Sequence, residues 1–149
     1  MTVEITKPNI SPLTFLVIED REIIRKVLMK MLLTSGHRVC EASGGREGVE
    51  QFKHSSFDAV FTDLSMPEMT GWEVAREVKK LDPSCIVVFI TGFTQQVSDS
   101  MKEECGVSYI LTKPFRMEGL MDVVQKISEL RSGGKPLERA LSGEIQPGA

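Results

Sequence analysis

Four short, unbroken apolar runs constrain this chain more than anything else in it: LTFLVI at 13–18, FDAVFT at 57–62, CIVVFI at 85–90 and SYILT at 108–112. Runs of that length suit strands buried on both faces, the environment of a parallel sheet. A weaker run, RVCEA at 38–42, follows Gly36 and reads as an edge strand. Between the runs, apolar residues recur at helical spacing. Ile24, Val27, Leu28, Met31 and Leu32 mark a first helix, which Gly36 stops. Val49 and Phe52 mark a second that opens after Gly44-Gly45, and Val74, Val78 and Leu81 a third that ends before Asp82-Pro83. Val97 and Met101 give a fourth with a thin apolar face. Leu120, Val123, Val124, Ile127 and Leu130 give a fifth with a strong one.

Five strands alternating with five helices make a (βα)5 chain of the α/β class, with a parallel sheet and helices on both faces. Right-handed crossovers leave few arrangements. The known five-strand solution is the flavodoxin-like, doubly wound sheet with strand order 2-1-3-4-5; that order comes from known architectures, not from these residues. The 149 residues divide into an irregular lead-in at 1–12, one domain at 13–131, and a flexible tail or truncated linker at 132–149. Within that tail, LERAL is the one stretch with the makings of a short docking segment. The 18 residues after Arg131 are too few for a helix-turn-helix output module.

Charge and cysteine usage narrow the function classes. Lys plus Arg is 18 and Asp plus Glu is 21, so the formal charge is −3, without the basic surplus of a nucleic-acid binder. Cys40, Cys85 and Cys105 have neither zinc-site spacing nor an even count, which points to a reducing, cytoplasmic setting. The apolar runs are too short to span a membrane, and the N-terminus lacks a signal-peptide pattern. Neither direct nucleic-acid binding nor membrane association is expected.

In open α/β sheets, ligands sit outside the carboxyl ends of the strands. The residues found there are Glu19-Asp20 after the first run, Asp63 after the third, Thr91-Gly92 after the fourth and Lys113-Pro114 after the fifth. Each alone reads as a turn, a cap or, for Lys113-Pro114, an exposed loop. At residue frequencies of roughly one in ten to one in twenty, their conjunction arises by chance less than about once in ten thousand. In the order 2-1-3-4-5 the first and third strands are neighbours, so three carboxylates meet. Their repulsion calls for a divalent cation, and Mg2+ takes one or two carboxylates and leaves sites for water or phosphate oxygens. Asp63 has the chemistry of a nucleophile that forms an acyl phosphate. Thr91 can donate a hydroxyl to a phosphoryl oxygen, and Lys113 can supply a positive charge opposite the metal. Asp20 also reads as a cap for the first helix. His37 and His54 lack metal-like spacing and read as surface or capping residues, and Trp72 as a packing anchor.

With these motifs in place, LVIED, FTDLSMPEMTGWEV, FITGF and YILTKPF, the chain over about 13–131 resembles the receiver domain of the two-component response regulator family. The stretch from Asp63 through Met66-Pro67 and Met69 to Gly71 is the most specific carrier. The resemblance implies that Asp63 accepts the phosphoryl group. It makes Asp20, Asp63 and the backbone carbonyl of Ser65 ligands of Mg2+, with Glu19 acting through water. Thr91 would be the switch hydroxyl and Lys113 the phosphate-pairing cation, with Gly92 leaving room for the phosphoryl group and a cis bond between Lys113 and Pro114. The phosphodonor would be a sensor histidine kinase or a phosphotransfer protein. The readout would be a downstream protein on the face made by the fourth helix, fifth strand and fifth helix, and that face would also allow two copies to pair. The domain would be a phosphoprotein switch rather than an enzyme, catalysing only its own phosphoryl transfer and dephosphorylation.

Two positions depart from the family pattern. The aromatic switch position, three residues before Lys113, is Ile110, while Tyr109 lies one step away and so on the opposite face of a strand. Phe93, two residues after Thr91, is expected to hinder water and slow self-dephosphorylation. Two other functions compete. An aspartyl-phosphate phosphohydrolase would place a second Asp where Ser65 stands, and would need a cap domain. A receiver-like interaction domain would keep the same site and never carry phosphate.

Overall fold

The structure is a computed structural model that describes residues 10–92 and 98–133. Five strands form one parallel sheet: β1 (Thr14–Ile18), β2 (Arg38–Ala42), β3 (Ala59–Asp63), β4 (Ile86–Gly92) and β5 (Val107–Lys113). Their spatial order is β2-β1-β3-β4-β5, the flavodoxin-like arrangement. The connecting helices are α1 (Glu22–Thr34), α2 (Gly45–His54), α3 (Gly71–Leu81), α4 (Asp99–Cys105) and α5 (Met117–Ser128), and a single π turn at Glu129–Gly133 follows α5. The proposed lead-in, up to Asn9, and the tail from Gly134 lie outside the described residues, as do Phe93 and Val97.

Alternation along the strands divides the core into two layers. Leu16, Ile18, Val60, Val87 and Phe89 pack against α2 and α3 through Val49, Phe52, Val74 and Val78. Phe15, Val17, Phe61, Val88 and Ile90 face α1 and α5 through Leu28, Leu32, Leu120, Val124 and Ile127. Every residue of β3 is buried, which is why its sequence shows no polar alternation. Trp72 stands edge-on to Phe89, 4.7 Å between ring centroids, and anchors α3 on the sheet.

Several expectations need correction. Leu130 is 58 % exposed, because the regular helix ends at Ser128 and the π turn rotates Leu130 off the buried stripe. Val27 and Leu81 also face outward, since the buried stripes of α1 and α3 are narrower than their apolar patterns. Arg21, not Asp20, occupies the α1 N-cap, with no side-chain bond to the helix. His37 is buried: its Nδ1 accepts the Leu13 N–H at 3.0 Å and its ring stands edge-on to Phe15.

Candidate functional site

The parallel sheet directs all five strand ends to one edge, and β1, β3 and β5 deliver the charged residues there. Glu19 follows β1 directly, Asp63 ends β3, and Lys113 ends β5. Carboxylate oxygens of Glu19, Asp20 and Asp63 all lie within 4.8 Å of one another. Lys113 Nζ donates to Asp63 Oδ1 at 3.2 Å and approaches Glu19 Oε1 at 3.3 Å, the second being an ion pair without hydrogen-bond geometry. Glu19 is fully buried and Asp63 nearly so, while Asp20 stands at the rim.

Burial sets the electrostatics of this cluster. Desolvation raises the Glu19 carboxyl above its usual range, and the Asp63 charge adds to the effect; the Arg21 N–H and Lys113 oppose it. Desolvation likewise raises Asp63, against the opposing pull of Lys113. With all three carboxylates ionised, the single lysine leaves a surplus of two negative charges. Glu19 Oε1 and Asp20 Oδ1 are shielded from solvent and have no hydrogen-bond partner. Carboxylate oxygens without hydrogen bonds and a surplus of two charges suit a hard divalent cation that binds through oxygen.

The backbone fixes where Asp63 sits. Gly71 N–H donates to Leu64 O at 2.9 Å, and a Cβ on Gly71 would run into the Asp63 carbonyl. A glycine is therefore required where the start of α3 closes on the end of β3. Thr70 caps that helix reciprocally with Glu73, whose carboxylate accepts the Thr70 N–H at 2.8 Å. Ser65 lies exposed in the β3–α3 loop. In the same loop Glu68 takes a left-handed conformation, φ 68°.

On the other side of Asp63, β4 carries Thr91 and Gly92. Asp63 pairs with Ile90, so buried Thr91 lies one residue farther toward the strand end, and Gly92 pairs with Lys113. The Lys113-Pro114 bond is cis. A bulge in β5 sets Val107 against Val87 and Tyr109 against Val88, leaving Ser108 as the extra residue. Tyr109 thus packs on the α1/α5 layer, with Lys126 Nζ 5.8 Å above its ring. Ile110 packs on the α2/α3 layer with Phe89, the face that Thr91 shares by alternation.

An apolar groove of about 510 Å³ adjoins Lys113, walled by Ile23, Ile24, Val27, Pro114 and Phe115 with Arg21 at its rim. Neither this groove nor Arg25, whose guanidinium touches the Glu19 backbone, was anticipated from the sequence.

The family model described as the response regulator receiver domain matches residues 15–125. The chain belongs to the response regulator receiver domain family. As a receiver domain it is 30% identical over 115 residues to the chemotaxis protein CheY of Thermotoga maritima, covering 76% of this chain and 96% of that protein. It is 31% identical over 112 residues to the response regulator receiver protein CpdR of Brucella abortus, covering 75% and 93%. Among solved structures, a receiver domain protein of Clostridium thermocellum superposes with TM-score 0.75 at 28% identity, covering 80% of this chain and 97% of that one. The response regulator TrrA of Thermotoga maritima, solved in complex with Mg2+-BeF, gives TM-score 0.71 at 27% identity, covering 77% and 98%. Receiver domains serve two-component signalling, and the acidic cluster of this one has the donor set for a metal ion. Among the described residues no helix is long and apolar enough to cross a membrane.

Proposed function

We propose that this receiver domain is a phosphorylation-controlled switch in which Asp63 accepts a phosphoryl group from a sensor histidine kinase or phosphotransfer protein. The observation that carries this reading is the buried Asp63 carboxylate, with Lys113 Nζ on one oxygen and two carboxylate oxygens without hydrogen bonds, from Glu19 and Asp20, beside it. Asp20, Asp63 and the Ser65 carbonyl would hold Mg2+, with Glu19 reaching it through water. The ion would offset the surplus carboxylate charge and the charge of the phosphoryl oxygens. In the transfer, an Asp63 Oδ forms a bond to phosphorus as the donor's P–N bond breaks, and the electron pair of that bond stays on the imidazole nitrogen. Lys113 stabilises the charge on the phosphoryl oxygens, and the Thr91 hydroxyl donates to one of them. Gly92 leaves the space, and Pro114 follows the lysine into the β5–α5 loop.

The groove beside Lys113 supports α1 as the face on which the donor docks. Ile23 is 78 % exposed there, next to the reacting residues. The downstream readout uses the α4-β5-α5 face, where Met101 on short α4 is partly exposed. Ile110 stands at the position of the usual aromatic switch, so the usual coupling of the switch hydroxyl to an aromatic ring is not part of this reading.

Intact-protein mass after incubation with a small acyl-phosphate donor tests the acceptor. A gain of one phosphoryl mass that needs Mg2+ and disappears in Asp63→Asn is expected. A folded protein that gains none with either a small donor or a kinase would instead be a phosphate-independent interaction domain.

A further inference from the structure

The connection from β1 to α1 is only Glu19, Asp20 and Arg21, yet it carries two of the three clustered carboxylates. Its path is held at both main-chain groups of Glu19. The Glu19 N–H donates to Ala42 O at 3.1 Å, and the Glu19 carbonyl accepts from the Arg25 guanidinium at 3.0 Å. The Glu19 carboxylate in turn accepts the Arg21 N–H at 3.1 Å. Arg25 is itself locked: its Nε donates to Glu41 Oε1 at 2.7 Å, and its side chain is largely buried. Glu41 on β2 also takes Lys26 at 2.9 Å, and Gln51 of α2 donates to the Glu41 carbonyl at 2.7 Å.

We infer that Arg25 is a positioning residue for the acidic pocket: its guanidinium fixes the Glu19 peptide and thereby the direction in which the Glu19 and Asp20 carboxylates meet a divalent cation. The inference rests on the proposed reading of that pocket as a cation site. The chemistry explains why the residue is arginine. A planar fork bonds a carboxylate through Nε and a carbonyl through a terminal nitrogen at once, whereas an ammonium has one nitrogen for both. An ion pair between α1 and β2 would need only the Glu41 contact, so the bond to Glu19 is the part that a purely structural role leaves unexplained.

Electrostatics makes the test sharp. Arg25 places a positive charge near a cation site, so by Coulomb's law its removal should tighten Mg2+ binding. If Arg25 positions the turn, its removal weakens binding. Mg2+ titration by calorimetry, at a temperature where urea melts show each variant folded, separates the two. Arg25→Met is expected to raise the Mg2+ Kd at least fivefold and Arg25→Lys by a smaller factor. Glu41→Gln keeps the Glu19 bond and should stay within twofold of wild type, though it loses stability. An unchanged or lower Kd in folded Arg25→Met or Arg25→Lys overturns the inference. Amide hydrogen exchange without metal gives an independent readout. Exchange at Glu19 and Arg21, whose N–H groups are bonded in this turn, should quicken about tenfold in Arg25→Lys, with Phe15–Ile18 unaffected, and unchanged exchange there overturns the inference too. If the wild type binds no Mg2+, the cation-site reading fails on its own, and exchange alone decides whether Arg25 holds the turn.

Discussion

Gly71 sits where a single methyl group has nowhere to go. Its absent Cβ would strike the Asp63 carbonyl, backbone that cannot swing aside like the end of a side chain. Gly71→Ala must therefore push α3 away from the end of β3, and overpacking of this kind costs about 1–3 kcal/mol. Urea denaturation should show that loss, and phosphorylation from a small acyl-phosphate donor should slow along with it. The glycine was visible in the sequence as part of a motif, but its reason was not, because the clash exists only once β3 and α3 are joined. Asp63, Asp20, Glu19 and Lys113 were legible for a different reason: charged residues directly after unbroken apolar runs mark strand ends whatever the rest of the chain does. Arg25 was not legible. It stands on a helix among ordinary polar residues, and its meaning comes from Glu41, 16 positions away, and from a backbone carbonyl. The burial of His37 is not legible, because a lone polar residue next to a glycine gives no sign that a buried backbone N–H awaits its ring.

The elements followed the apolar period closely, and they departed from it where packing cut a stripe short. On α1 the pattern Ile24, Val27, Leu28, Met31, Leu32 is broad, yet only Leu28 and Leu32 are fully covered by the sheet. Ile24 and Val27, with exposed Ile23, wall the groove beside Lys113, while Met31 packs partly buried against the core. Hydropathy cannot separate a core residue from a docking residue, since both are apolar. The β5 bulge was equally hidden: an extra residue leaves no mark in an apolar run, but it determines that Tyr109 and not Ile110 faces α1 and α5. The α1 face yields a prediction at this scale. Ile23→Asp removes no buried contact, so its stability should stay within about 0.5 kcal/mol of wild type. Phosphorylation by a small acyl-phosphate donor should also be unchanged, while transfer from a phosphohistidine protein should fall at least tenfold. Equal transfer from both donors would place the docking face elsewhere.

At the scale of the whole molecule, the site is a cost that the fold carries. Two buried carboxylates, Glu19 and Asp63, are both raised by desolvation, so their ionisation costs more in the folded protein than in the unfolded chain. For Asp63 the sign follows directly. Its folded pKa lies above the ordinary carboxylate value, so its contribution favours folding fully below that ordinary value and is lost as pH rises through the folded pKa. An asparagine does not titrate. Without divalent cations, Asp63→Asn should therefore melt at a higher temperature than wild type at pH 7, and the gap should shrink as the pH falls toward 4. The lost Lys113 bond works the other way, but Lys113 keeps its ion pair with Glu19, and desolvation is the larger influence on Asp63. Mg2+ should reverse the ranking. A ligand at a hundred times its Kd stabilises by about 2.7 kcal/mol, and a variant that has lost a coordinating carboxylate receives less of that. Thermal melts of both proteins with chelator and with saturating Mg2+ test the argument as a crossing of two curves. If wild type is already the more stable without metal, burial is not what strains Asp63, and the lysine alone balances the cluster.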